Sequence, residues 1–99
     1  MTEVLRRVQD WYERMCDGEW EHVGGIRIDT LDNPGWVVRI DLPSAVFRSM
    51  GAEAFRANRG EKDWIACRIV DGRFEGHGGP ANLTEVLQVF LSWCDKMSN

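Results

Sequence analysis

Cys16, Glu19, Glu21, His22 and His77 are the side chains of this 99-residue sequence whose types could hold a metal ion or carry nucleophilic chemistry. They include every donor that zinc accepts, yet no two Cys or His stand at the short fixed spacing of a structural zinc site, so neither a metal nor another cofactor is expected. A thiol nucleophile would need the fold to bring Cys16 against His22 or His77, since such partners need only be neighbours in space. No activating motif surrounds Cys16, and Cys67 and Cys94 fall on apolar faces as small hydrophobes. Gly76-His77-Gly78-Gly79-Pro80 leads into a helix start, where backbone amides can meet an anion. It lacks the Lys and the glycine spacing of a P-loop or dinucleotide fingerprint. A small-ligand-binding or thiol-dependent enzyme centred on Cys16, His22 and the glycines of 76–79 is thus the alternative reading, and no residue is assigned as catalytic.

Tryptophan is prominent in protein interfaces, and this chain has five. Trp11 and Trp93 fit the core faces of helices. Trp20 and Trp36 lie among acids and turn residues, where each would serve as a lid over the core or as an exposed anchor.

The elements that must position these groups are legible from periodicity. Val4, Leu5, Val8, Trp11, Tyr12 and Met15 recur at helical spacing, with charged residues between them. Leu83, Val86, Leu87, Phe90, Trp93, Cys94 and Met97 repeat the pattern near the other end, with Asn82 as cap and Glu85 completing a capping-box-like pair. Between the helices the period becomes two, in Ile26, Ile28, Thr30 and again in Val38, Ile40, Leu42. Keeping both apolar sets on one face requires an odd-length connection. A five-residue loop, 32–36, is preferred, with a type II turn placing Pro34 after Asn33 and Gly35 at positive φ. That register sets Arg27 opposite Asp41 and Asp29 opposite Arg39.

Asp71-Gly72 is the strongest hairpin signal, pairing Ile69 with Phe74 and Arg68 with Glu75. Residues 43–61 are the least readable: Ala45, Phe47 and Phe55 hint at one or two short strands, with Gly51 and Gly60 as breaks. Gly79 and Pro80 form the turn before the last helix. The expected fold is one α+β domain spanning 1–99: a two-layer arrangement with an antiparallel sheet of about four to five strands, covered on one face by N-terminal and C-terminal helices.

Composition narrows the function. Twelve Lys plus Arg against sixteen Asp plus Glu leave a net charge of −4, the wrong sign for a general binder of phosphate backbones. Direct nucleic-acid binding is not expected. No apolar run approaches the roughly 20 residues of a membrane span. The N-terminal residues lack the apolar run of a secretion signal, and three scattered cysteines suit reduced thiols, so a cytoplasmic location is expected.

Several segments in one order resemble the immunity protein 53 family of bacterial polymorphic toxin systems. They are Asp17-Gly18-Glu19-Trp20-Glu21-His22, the run from Ile28 to Asn33-Pro34-Gly35-Trp36, Ile40-Asp41-Leu42, Asp63-Trp64-Ile65, the run from Gly72 to Pro80, Asn82-Leu83 and Phe90-Leu91-Ser92-Trp93. The stretch 43–61 carries no matching motif. The resemblance implies a small cytoplasmic protein, without catalytic residues, that binds a cognate toxin domain encoded by a neighbouring gene.

A contact surface follows from the motif residues Asp17, Glu19, Trp20, Glu21 and His22, extended along the outer sheet face to Asp32 and Trp36. A strand of about eight residues holds the two groups roughly 25 Å apart, too far for one small-ligand pocket. A protein interface can span them, each side contributing roughly 800 Å². Glu19 and Glu21 have no basic neighbour in sequence, so they could imitate the anionic substrate of a nuclease-type toxin. The chain itself is expected to be a monomer or a weak homodimer.

Overall fold

The computed structural model describes residues 2–43 and 53–97. Helix α1 (Thr2–Met15) is followed by a four-residue helical turn, α2 (Trp20–Val23), then β1 (Ile26–Leu31), β2 (Gly35–Asp41), β3 (Ala54–Gly60), β4 (Asp63–Val70), β5 (Arg73–Gly78) and α3 (Leu83–Met97). The strands form one five-stranded sheet in the order β1-β2-β5-β4-β3, every neighbouring pair antiparallel. The expected α+β architecture is therefore present, with the sheet at the upper end of the expected strand number. The short helix α2 falls where the sequence reads as a loop.

Alternation along the strands sorts the sheet into two faces. Val38 and Ile40 of β2, Ile65, Cys67 and Ile69 of β4 and Phe74 of β5 turn inward and are buried. α3 lies over β2, β5 and β4, and α1 packs against α3. Phe90 of α3 sits at the centre of this core, 4.9 Å from the Trp11 ring and 5.2 Å from that of Phe74, both in edge-to-face geometry. Trp11 and Trp93 thus occupy the core faces expected of them.

The glycines of β5 explain how α3 approaches so closely. A Cβ on Gly76 would stand 2.5 Å from Val86 Cγ1 and 3.0 Å from the Phe74 ring, so a side chain there would lift the helix off the strand. Gly79 is packed in the same way, its would-be Cβ lying 2.6 Å from the Lys62 carbonyl oxygen. These glycines make room for packing at the helix start. Asn82 accepts the first helical bond of α3 from the Val86 N–H through its carbonyl. Its side-chain amide turns instead to Asp63 and Glu85, each 3.0 Å away.

The second hairpin has the expected register, Ile69 facing Phe74 and Arg68 facing Glu75, with Asp71 at φ 51° and Gly72 at φ 76° in its turn. Both central residues are left-handed, as a type I′ turn requires. The first hairpin differs from expectation. Leu31 pairs with Gly35 and Ile26 with Ile40, so the loop has three residues, Asp32, Asn33 and Pro34, and Gly35 begins β2. Gly35 is not among the residues with positive φ, which removes the type II turn.

The apolar alternation is satisfied by loops of either odd length and cannot choose between them. The predicted pairs of Arg27 with Asp41 and Asp29 with Arg39 are replaced by Arg27 facing Arg39 and Asp29 facing Val37. Arg39 finds its counter-charge on the other side, in Glu75 of β5 at 3.5 Å. A two-strand argument could not include that third strand.

β3 is weakly marked because it is an edge strand, almost wholly exposed, whose inward side carries only Phe55 and the small Ala57. Phe55 lies on it. Ala45, Phe47 and Gly51 fall outside the described residues.

Candidate partner interface

The motif residues 17–22 form a self-bonded loop between α1 and β1. Asp17 Oδ1 accepts hydrogen bonds from the backbone N–H groups of Glu19, at 2.9 Å, and Trp20, at 3.0 Å. Glu21 reaches back and accepts from the N–H groups of Asp17, at 3.0 Å, and Gly18, at 2.8 Å. The two carboxylates therefore satisfy amides at each other's end of the loop, a reciprocal arrangement like a capping box. The Trp20 and Glu19 amides hold the Asp17 carboxyl below the usual carboxylate range. Glu21 is lowered too, by its own amide first and then by those of Asp17 and Gly18.

This geometry bears on Glu21 and on the two readings of Trp20. The Glu21 carboxylate, expected to lack a neutralising partner, is already occupied by backbone donors. Trp20 is a lid rather than an exposed anchor: it is buried, 5.7 Å from Trp11 and 5.7 Å from Tyr12 in edge-on contacts. Glu19, His22 and Val23 remain exposed on the loop.

Asp32 and Trp36 stand at the other end of β1 from that loop. Asp32 is exposed, whereas Trp36 is half-buried and shares the pleat side of Val38, away from the outer face. Its indole N–H donates to the Pro80 carbonyl at 2.9 Å, fastening the start of β2 to the turn before α3. Beside it, Arg59 donates to Asp63 at 3.0 Å and to Glu85 at 2.5 Å, and Asn82 bridges the same two carboxylates. Asn33 and Pro34 lie exposed in the hairpin loop before β2, and Gly79 and Pro80 lie between β5 and α3.

Cys16 borders a shallow concavity between α1 and β1, lined also by Val8, Tyr12 and Ile26 and by no histidine. His77 lies on the outer side of the sheet, beyond the core from Cys16. Burial pushes the thiols of Cys67 and Cys94 up to about 12, which leaves them as thiols at neutral pH. Among the described residues no three metal-donor side chains converge. Among the described residues no helix is long and apolar enough to cross a membrane.

The outer face of the sheet is different in kind, and no described helix lies on it. Register places Arg27, Arg39, Glu75, Arg68 and Ala54 in one row across all the strands. Glu75 is the pivot of this row, accepting from Arg68 at 3.0 Å with Arg39 at 3.5 Å on its other side, and its side chain is only 15% exposed. The Arg68 hydrogen bond, foremost, holds the Glu75 carboxyl below its ordinary range.

A parallel row runs Asp29, Val37, His77, Ala66, Arg56. Because Ala54 and Ala66 are short, the sheet between Arg56 and Arg68 is hollowed into an open trough of about 620 Å³, with His77 and Glu75 along it. Sequence alternation assigns Arg27, Arg39, Arg68 and Glu75 to this face. Arg56 was missed because β3 itself had no readable period.

Residues 5–95 match the family model described as immunity protein 53. The chain belongs to the immunity protein 53 family. The match takes in all five strands, the loop 17–22 and most of both long helices, so the segments that carried the resemblance are parts of one fold. No curated protein and no solved structure matches the chain.

Proposed function

We propose that this immunity protein 53 family member neutralises a cognate toxin domain by forming a tight protein–protein complex with it, and catalyses no reaction itself. Family membership across 5–95 is the observation that carries the reading. The toxin is the C-terminal domain of a polypeptide encoded by a neighbouring gene, and the complex protects the cytoplasm of the producing cell and its kin. Within the loop 17–22, Glu19 and His22 supply the accessible polar contacts, while Asp17, Glu21 and Trp20 hold the loop in shape. Asp32 extends the contact at the far end of β1, and Trp36 supports it from beneath. A nuclease-type toxin, with a basic cleft, would be met by Glu19.

Co-expression tests the reading. Cells making the toxin domain should grow when this protein is present, and the two should co-purify. Undiminished toxicity in the presence of soluble, folded protein, with no co-purification, would overturn it.

A further inference from the structure

We infer that the outer sheet face, at the trough between Arg56 and Arg68, is a docking surface for an acidic segment of the toxin domain. This rests on the neutralisation reading above and adds the surface and the chemistry of the partner.

Charge is the first argument. The chain as a whole carries −4, yet on this face Arg27, Arg39, Arg56, Arg68 and Arg73 outnumber Asp29, Asp41 and Glu75. Arg27 directly faces Arg39, a like-charge pair that works against the sheet when nothing lies over it. Arg27, Arg56 and Arg73 form no ion pair with any described residue. Carboxylates from a partner would supply the missing counter-charges.

Preorganisation is the second. Glu75 pairs with both Arg39 and Arg68, which restricts their guanidinium groups before a partner arrives. Ordering them on binding therefore costs less than ordering free side chains. The positive groups are all arginines, whose planar fork takes a carboxylate through two parallel hydrogen bonds. Ala54 and Ala66 leave room for a partner side chain to descend between Arg56 and Arg68.

A nucleic acid fits this face less well. Duplex DNA lays down about one negative charge per 1.7 Å of axis, and that continuous line would run over Asp29, Asp41 and Glu75. A protein segment can space its carboxylates to avoid them.

The test is calorimetric titration of an inactivated form of the C-terminal domain encoded by the neighbouring gene. Arg56→Glu combined with Arg68→Glu should weaken binding by about 30-fold or more, and wild-type affinity should fall as salt is raised. Arg68 has a folded-state partner, so Arg56→Glu with Arg73→Glu provides a second reversal that breaks no ion pair; it should also weaken binding at an unchanged melting temperature. Wild-type affinity in both variants would overturn this surface while leaving neutralisation standing. No binding by the wild type would overturn both. Wild-type binding to a labelled duplex oligonucleotide, lost in the reversals, would assign the face to nucleic acid and overturn the proposal.

Discussion

Gly35 at the start of β2 is pressed against Gly78 at the end of β5: a Cβ on Gly35 would fall well inside van der Waals contact distance of the Gly78 carbonyl oxygen, with the Trp64 ring 3.5 Å away. The glycine is required by this close approach and not by its dihedral angle. Gly35→Ala should destabilise the fold by about 1–3 kcal/mol, the usual cost of overpacking. Gly60→Ala is the control, because a Cβ there meets nothing within 4 Å. Thermal melts of the two variants should separate clearly, and equal melting temperatures would remove the close-packing explanation.

Glu19 and Glu21 are adjacent in the motif but should behave oppositely. Glu21→Ala removes the acceptor for the Asp17 and Gly18 amides and should lower the melting temperature. Glu19→Lys should leave it unchanged, since that side chain is exposed. Toxin binding measured alongside the melts separates a contact residue from a loop-forming one.

Acid should weaken the outer face. The folded-state pKa of Glu75 is lowered, by Arg68 first, so its contribution is fully present above the ordinary glutamate value of about 4.3 and is lost as pH falls through the lower folded value. Asp17, Glu21 and Asp63 are shifted the same way and add to the same trend. Melting temperature should be flat from pH 7 to about 5 and then fall. Glu75→Gln should have a shallower fall than the wild type; an unchanged slope would show that the Arg39–Glu75–Arg68 row contributes nothing.

Thiol chemistry gives a further check. A thiol reagent added to the native protein should modify Cys16 first, because Cys67 is buried and Cys94 is held as the thiol by partial burial. Cys16→Ser should preserve protection in co-expressing cells. Loss of protection at unchanged stability would revive the thiol-dependent alternative.

What the sequence disclosed follows from where each signal originates. The helices and the parity of the strands come from one chemical choice, apolar or polar, repeated at a fixed period, and these are present. The turn at Asp71 and Gly72 is encoded locally in two residues and is also present. In the first hairpin Arg27 and Arg39 face each other, and the counter-charge of Arg39 comes from Glu75, far along the chain and outside any two-strand argument. Burial of Trp20 was open to two readings because the residues around it are polar; the packing partner that decides, Trp11, lies on another element. Occupation of the Glu21 carboxylate comes from backbone amides, which composition cannot reveal.

The packing of α1 on α3, pinned by the 2.7 Å pair of Arg7 with Asp95, sets an order of events during synthesis. Helix α1 finds its main helical neighbour only in α3, made after all five strands, and β2 must wait for β5 before it has a partner on both sides. The nascent chain therefore holds local helix and hairpins but no complete core until residues near 90, where Phe90 joins Trp11 and Phe74, have emerged. A ribosome stalled before α3 would carry a sheet whose inner face still lacks Val86, Leu87, Phe90 and Leu91, the side chains that close the core.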